Sequence, residues 1–348
     1  MRGRAIYRLP FAKECVTVAG EVISLNPTMV TKEISGFFIR PFISNDTEYT
    51  VYIKAEEVAT YGCCEVPDLD GFEIPDNSEF EAEDLSKEDH DNYVDHFKQC
   101  IAEGQLKKSV LVRNINKSTE NVMDPLSLFK KACEEYPRMM VSLFSTPVSG
   151  TWLICSPEIL LEKVSKNIYH TTAIAGAKPL ADIDKEWPKR VLEDIDDVKD
   201  DIVKTLNTFS YNIKVEGPKT VRAGNLLHLK YDITFELVFS RAFGVIGRIL
   251  HPSPVACGIP RDIAYQMIID FNLDNIQYRH YSGGTFGPIA VGDDTKLFVS
   301  LHSMLIHSKH KTTIYDCLSI YENSDADEKW IETKEKLDSM LKLINACK

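Results

Sequence analysis

Lysine, glutamate and histidine side chains standing next to apolar runs are the residues of this sequence best suited to moving protons. A lysine such as Lys108, in KKSVLVR, can take up a proton only if burial or a nearby cation makes its ammonium easier to deprotonate, since a free lysine keeps its proton up to a pKa of about 10.4. A glutamate such as Glu158, in SPEILLEK, can donate a proton at neutral pH only in an apolar setting, which Ile159, Leu160 and Leu161 could supply. His228 in LLHLK and His302 in VSLHSML are two further titratable groups on strand-like runs. Gly176 beside Ala177, and Gly283 with Gly284 after Tyr281, would let backbone N–H groups approach an anion closely. Each has a plainer reading on spacing alone. Lys108 could be a surface lysine at a strand edge, and Glu158 an exposed turn carboxylate after Pro157. Glu332 with Lys336 is a regular i,i+4 helix pair, Asp200 with Asp201 fits a solvated acidic face, and a lone strand histidine is commonly structural.

The elements that must position these residues are legible in outline. With 348 residues, 44% hydrophobic and 26% charged, the chain can bury a large core as one domain or two. Its net charge of −12 and pI near 5.3 argue against nucleic acid and anionic membranes as partners. A small anionic ligand would need a local positive island, made by a few Lys or Arg residues or by a bound cation. No apolar stretch reaches membrane-spanning or signal-peptide length. The nine cysteines, Cys63 and Cys64 adjacent among them, lack CxxC spacing, so reduced thiols and a cytoplasmic location are expected.

Short alternating runs predict an N-terminal β-rich part over residues 1–64, with strands from about residue 14. An acidic connection over 65–91 follows, and Ser86 with Asp89 predicts the cap of a helix running to Gly104. From Lys107 the runs KKSVLVRNI, RMMVSLFS, GTWLICS, EILLEKV and IYHTTAIAG predict a long antiparallel meander. Helical spacing over WPKRVLEDIDDVKDDIVKTLNTF places Val191, Ile195, Val198, Ile202 and Leu206 on one face. LLHLKYDITFELVF and TKLFVSLHSMLIHSKHKTTIYDCLSIY read as further strands, IPRDIAYQMIIDF as a helix between them, and DADEKWIETKEKLDSMLKLINA as a closing amphipathic helix. No internal repeat is present.

In order along residues 92–348, several of these segments resemble the motifs of the chorismate-utilising enzyme family, which includes isochorismate, salicylate, anthranilate and aminodeoxychorismate synthases. KKSVLVR resembles KVVLAR, WLICSPEILLEK the G.SPE.L segment, and TTAIAGAKP the Thr-x-x-x-Ala-Gly turn. ILHPSPVACGIPRDIAYQMI closely resembles LHPTPAv.G.P...A...I, and KWIETKEKL is similar to EW.ET..KL. The resemblance implies an α/β (α+β) domain with two large antiparallel sheets packed face to face and helices outside. It implies that Lys108 is the base and Glu158 the acid in adding water to C2 of chorismate and expelling the C4 hydroxyl. Asp200 and Glu332 would hold Mg²⁺, Lys336 would face the ring carboxylate, and His302 the pyruvyl carboxylate. His228, Gly176, Ala177, Tyr281, Gly283 and Gly284 would line the ligand site.

Family members that use ammonia usually lack a lysine at the position of Lys108, which makes isochorismate synthase the closest type. A salicylate synthase and a catalytically inactive ligand-binding homologue are the alternatives. The resemblance leaves open whether the product would serve menaquinone or siderophore synthesis, and a monomer is the default. Four departures stand out: Asp200 for glutamate, His302 for arginine, Cys317-Leu318-Ser319 for a glycine-rich strand end, and Asp270 or Asn272 near a position that usually carries glutamate.

Overall fold

The computed structural model describes residues 1–24, 34–43, 50–63, 65–67, 72, 83–120, 122–224, 226–238, 243–271 and 279–346. Most of the acidic connection, Cys64 and Asn272 lie outside these residues.

Two antiparallel ladders share one long strand. The first runs in the order β5 (Glu57–Gly62), β2 (Glu14–Ser24), β1 (Arg2–Arg8), β7 (Met140–Thr146), β8 (Gly150–Ser156), β16 (His302–Ser308), β17 (Lys311–Ile320), β6 (Lys108–Ser118) and β13 (Gly258–Ile259). The second starts at the far end of β2, where Val22–Ser24 pair with β4 (Val51–Lys54). It continues through β3 (Gly36–Arg40), β14 (Thr285–Ile289), β15 (Lys296–Val299), β9 (Ile159–Lys163), β10 (Ile168–Pro179), β12 (Leu226–Leu237) and β11 (Ser210–Ala223).

Alternation along the strands explains why the ladders stack. Phe144, Trp152 and Ile154 from the first ladder enter the same apolar core as Phe37, Leu161, Phe286 and Phe298 from the second. Their neighbours Val141, Leu143, Leu153 and Cys155 point the other way. There they meet Leu128, Phe129 and Ala132 of α2 (Pro125–Glu135) and Leu337, Met340 and Leu343 of α6 (Ala326–Ala346). The expected face-to-face sheets with outer helices are therefore present.

Helix ends follow local chemistry. Ser86 accepts the N–H of Asp89 and opens α1 (Lys87–Ala102), and Gly104 takes a positive φ of 76° just past its end. α3 (Lys189–Leu206) buries Ile195, Val198, Ile202 and Leu206 over β10 and β12. α4 (Phe243–Leu250) and α5 (Arg261–Phe271) complete the helices named here. No disulfide joins the described cysteines, and among the described residues no helix is long and apolar enough to cross a membrane.

Candidate active site

A cavity of about 380 Å³ opens where the ends of β6, β10, β12 and β17 meet α3 and α6. That size suits a small organic ligand. Lys108, Gly176, Ala177, His228, His302, Glu332 and Lys336 all line it, so seven of the residues singled out by sequence come together in space. Glu158 sits just behind the wall, its neighbour Pro157 forming part of the lining. Tyr281, Gly283, Gly284 and Asp200 do not line the cavity.

The segment HPSPVACGI fixes two of these residues from behind. Ser253 Oγ donates to Glu158 Oε1 at 2.5 Å, and Ile259 pairs in register with Lys108. Gly258 has a φ of 142°, and a Cβ there would lie 2.4 Å from the Lys108 carbonyl oxygen, so only glycine lets this strand approach β6 so closely. Lys108 is 2% exposed, and its Nζ lies 3.0 and 3.3 Å from the two carboxylate oxygens of Asp194 on α3. The ammonium is also 5.7 Å from the ring centre of Tyr321.

Glu158 is 1% exposed. Burial pushes its carboxyl up to about 8, against the opposing pull of the Ser253 hydrogen bond and the Lys108 charge. It is therefore largely protonated at neutral pH. Its other oxygen, Oε2, has no hydrogen-bond partner among the described residues.

A bulge in β10 builds the opposite wall. Between Ala175 and Lys178 the register with β12 shifts, and Gly176 adopts a φ of 68°. A Cβ at Gly176 would lie 2.3 Å from Val191 Cγ1. The bulge turns the Gly176 carbonyl oxygen to within 2.6 Å of His228 Nδ1. Since a carbonyl only accepts, Nδ1 carries the proton and Nε2 keeps a lone pair. Burial drives the His228 pKa down to about 4, so the ring is neutral, and Nε2 is buried without a partner among the described residues. His228 can thus accept a hydrogen bond from a ligand hydroxyl.

On α6, Glu332 lies between two ammonium groups, Lys329 Nζ at 2.7 Å and Lys336 Nζ at 3.0 Å. Burial works to raise its pKa, but the Lys336 and Lys329 charges outweigh it and hold the carboxyl down at about 2. Burial likewise opposes the Lys336 charge, and Glu332 and Asp316 overcome it, so its pKa is raised; Nζ also donates to the Cys317 carbonyl at 3.1 Å. For Lys329 burial prevails and the pKa is lowered. Arg190 stacks 3.8 Å from the Tyr321 ring centre and adds a fourth cation to the lining. His302 Nδ1 meets Asp316 Oδ2 at 2.5 Å, and Asp316 Oδ1 accepts the Cys317 N–H at 2.8 Å.

Two groups of expectations need correction. Asp200 is paired with Lys199 at 3.0 Å and its side chain is 69% exposed. Helical phase explains this. Asp194 is three residues after Val191 and four before Val198, on the inward stripe, whereas Asp200 is two after Val198 and so turns outward. Tyr281 packs in the core, 5.5 Å from Trp152 and 6.1 Å from Phe144. Gly283 and Gly284 exchange backbone hydrogen bonds with Ser300, and a Cβ on Gly284 would lie 2.2 Å from the Arg40 carbonyl. Those glycines serve close backbone packing, with the Gly283 N–H given to the Ser300 carbonyl and the Gly284 N–H to the Tyr281 carbonyl.

Asp194, Arg190, Asp316, Tyr321 and Lys329 belong to the site without standing out in the sequence. Asp194 was detectable as an acid on an apolar helical stripe, and Lys329 as the residue one turn before Glu332.

The donor set does not fit the Mg²⁺ expected from the resemblance. Mg²⁺ requires free, hard oxygen ligands in near-octahedral array. Asp194 is occupied by Lys108, Glu332 by Lys329 and Lys336, and Asp200 is elsewhere. Among the described residues no three His, Cys, Asp or Glu side chains form a metal-holding group.

With this geometry in hand, comparison with known proteins is consistent. The sequence profile of chorismate binding enzymes matches residues 63–345, and the chain belongs to that family. It is 22% identical over 272 residues to isochorismate synthase DhbC of Bacillus subtilis, covering 73% of this chain and 67% of that protein. It is also 22% identical over 310 residues to anthranilate synthase component 1 of Saccharolobus solfataricus, covering 86% and 70%. The crystal structure of a 2,3-dihydroxybenzoate-specific isochorismate synthase, DhbC from Bacillus anthracis, superimposes with a TM-score of 0.79 at 18% identity, over 98% of this chain and 95% of that one. At such identity the structural likeness carries the fold.

Proposed function

We propose that this chain converts chorismate to isochorismate. The observation that carries the reading is the pairing, beside one cavity, of a buried lysine held by a carboxylate with a buried glutamate that keeps its proton at neutral pH. Lys108, oriented by Asp194 and acting as its neutral amine, takes a proton from the attacking water as the water oxygen bonds to ring carbon C2. The ring double bonds shift, the C4–O bond breaks, and Glu158 gives its proton to the departing hydroxyl, which leaves as water. His228 Nε2 accepts a hydrogen bond from a ring hydroxyl. Lys336, with Lys329, meets one substrate carboxylate, and the His302–Asp316 pair stands where the other would lie.

Incubating purified protein with chorismate, with and without Mg²⁺, and separating products by chromatography tests this. Isochorismate is the expected product. Salicylate with pyruvate would favour a salicylate synthase, and anthranilate formed from added ammonia would favour an anthranilate synthase-like reaction. An alternative reading, a chorismate-binding homologue without turnover, is favoured by the histidine at 302 in place of arginine and by the lysine-filled carboxylates; binding without any product would support it.

A further inference from the structure

Chorismate carries two carboxylates, and burying them requires compensating positive charge. The cavity interior supplies it from the chain itself. Lys108, Arg190, Lys329 and Lys336 line the cavity; Asp194 opposes Lys108, Glu332 opposes Lys329 and Lys336, and Asp316 also acts on Lys336. Asp316 is turned to His302, while Asp325 and Glu328 are exposed residues of the lining. At the α6 end, Arg190, Lys329 and Lys336 against Glu332 and Asp316 leave that part of the lining one positive charge in excess before any ligand enters.

The same lysines would repel a divalent cation. Of the two α6 carboxylates in the lining, Glu328 is exposed and Glu332 half-buried, and ammonium groups stand at 2.7 and 3.0 Å from the two Glu332 oxygens. For a metal to coordinate Glu332, Lys329 would have to leave, exposing a dication to Lys336 and Arg190 in a partly buried setting where like charges cost most. The motif that KWIETKEKL resembles carries glutamate where Lys329 stands, a two-unit change of charge in the turn that precedes Glu332.

Resting on the chorismate reading, we infer that Lys329 and Lys336 bind the substrate's ring carboxylate directly, as fixed replacements for a divalent cation, so that ligand binding by this chain is independent of metal. Glu332 then serves as the positioning residue that holds both ammonium groups side by side.

The test is calorimetric titration of chorismate into the full chain in chelator and in excess Mg²⁺, for the wild type, K329M and K329E. The wild-type Kd should change by less than about twofold between the two buffers. K329M should weaken binding roughly ten- to a hundredfold in both, the loss of a charge-assisted contact. K329E should bind only in Mg²⁺. Circular dichroism melts check that the variants fold, because the Lys329 side chain is only 14% exposed. Wild-type binding that requires Mg²⁺ overturns the inference and leaves the chorismate reading intact. Binding in neither buffer overturns the chorismate reading, and this inference with it.

Discussion

Two glutamates of the same site, Glu158 and Glu332, have opposite characters. Glu158 lies just before β9 with one serine hydroxyl for company, and its carboxyl is raised to about 8. Glu332 lies on α6 between two lysines and is lowered to about 2. Burial works to raise the pKa of both, so burial alone does not decide the outcome. What differs is whether opposite charge was buried alongside. One end of the cavity thereby holds a neutral acid able to give up a proton, and the other a fixed ion-pair array able to hold an anion. The proposed reaction, in which a dianion loses a hydroxyl as water, uses both.

The largest expected effect concerns the base that completes the proton-moving end. K108A should lower turnover by about a thousandfold or more, within what positioned acid–base groups supply, while chorismate binding stays measurable. Removing the lysine strands Asp194, which is 5% exposed, so K108A/D194N is the companion that avoids an unpaired buried charge. Near-normal rates in a folded double variant would remove Lys108 from the chemistry.

Next in size is the pH behaviour of the two glutamates, which should run in opposite directions. Glu158 is a usable acid below about pH 8, so wild-type kcat/KM should fall as pH rises through that value. E158Q should lose roughly a hundredfold in kcat and show no such limb. Stability follows the same sign. A carboxyl whose pKa is raised on folding stabilises the fold below its unfolded value near 4.3, and that contribution is lost as pH climbs towards 8. Glu332, lowered on folding, contributes above the unfolded value and loses its contribution as pH falls towards 2. Urea melts of E158Q should therefore flatten the profile between pH 4 and 8, and those of E332Q only the acid side. The Glu332 effect should be small, because that side chain is 38% exposed.

How much of this was readable from the chain alone depends on what held each residue in place. The inner strands declared themselves through alternation: Trp152 and Ile154 face one core, Leu153 and Cys155 the other. β11 did not, since it is paired on one side only and most of its residues are exposed, leaving no apolar period to detect. β1 went unread ahead of the expected first strand. α2 was hidden among strand-like runs, although Asp124 as N-cap and Pro125 in the first turn marked its start. At the site, Lys108, His228, Glu332 and Lys336 reached the cavity because motif and element agreed on them. Tyr281, Gly283 and Gly284 did not, because a glycine pair suits tight strand packing as well as it suits an anion. The ion pairs Lys108–Asp194 and Lys329–Glu332 were invisible for different reasons. Lys108 and Asp194 are 86 residues apart in sequence, whereas Lys329 and Glu332 have the spacing of any surface helix pair until the fold buries them.

The bulge at Gly176 links the two ends, since it both lines the cavity and fixes the tautomer of His228. G176A places a Cβ against Val191 at a backbone angle that alanine tolerates poorly, and should cost about 1–3 kcal/mol in stability. If His228 depends on the Gly176 carbonyl, G176A should also weaken chorismate binding, whereas a purely structural loss would lower the melting temperature and leave Kd unchanged.

The smallest expected effect separates helical phase from motif position. Asp200 and Asp194 sit on one helix six residues apart, and six residues turn an α-helix through about 600°, leaving the two carboxylates on different sides. Asp200 pairs with Lys199 in solvent, so D200N should change stability by no more than about 0.5 kcal/mol and leave kcat and Kd for chorismate within error. D194N removes the carboxylate that orients Lys108 and should lower kcat far more than it raises KM. A D200N variant with impaired turnover would mean that α3 rotates when ligand binds, bringing the outer acid inward, and the division of the cavity into a neutral and a charged end would then describe only its ligand-free state.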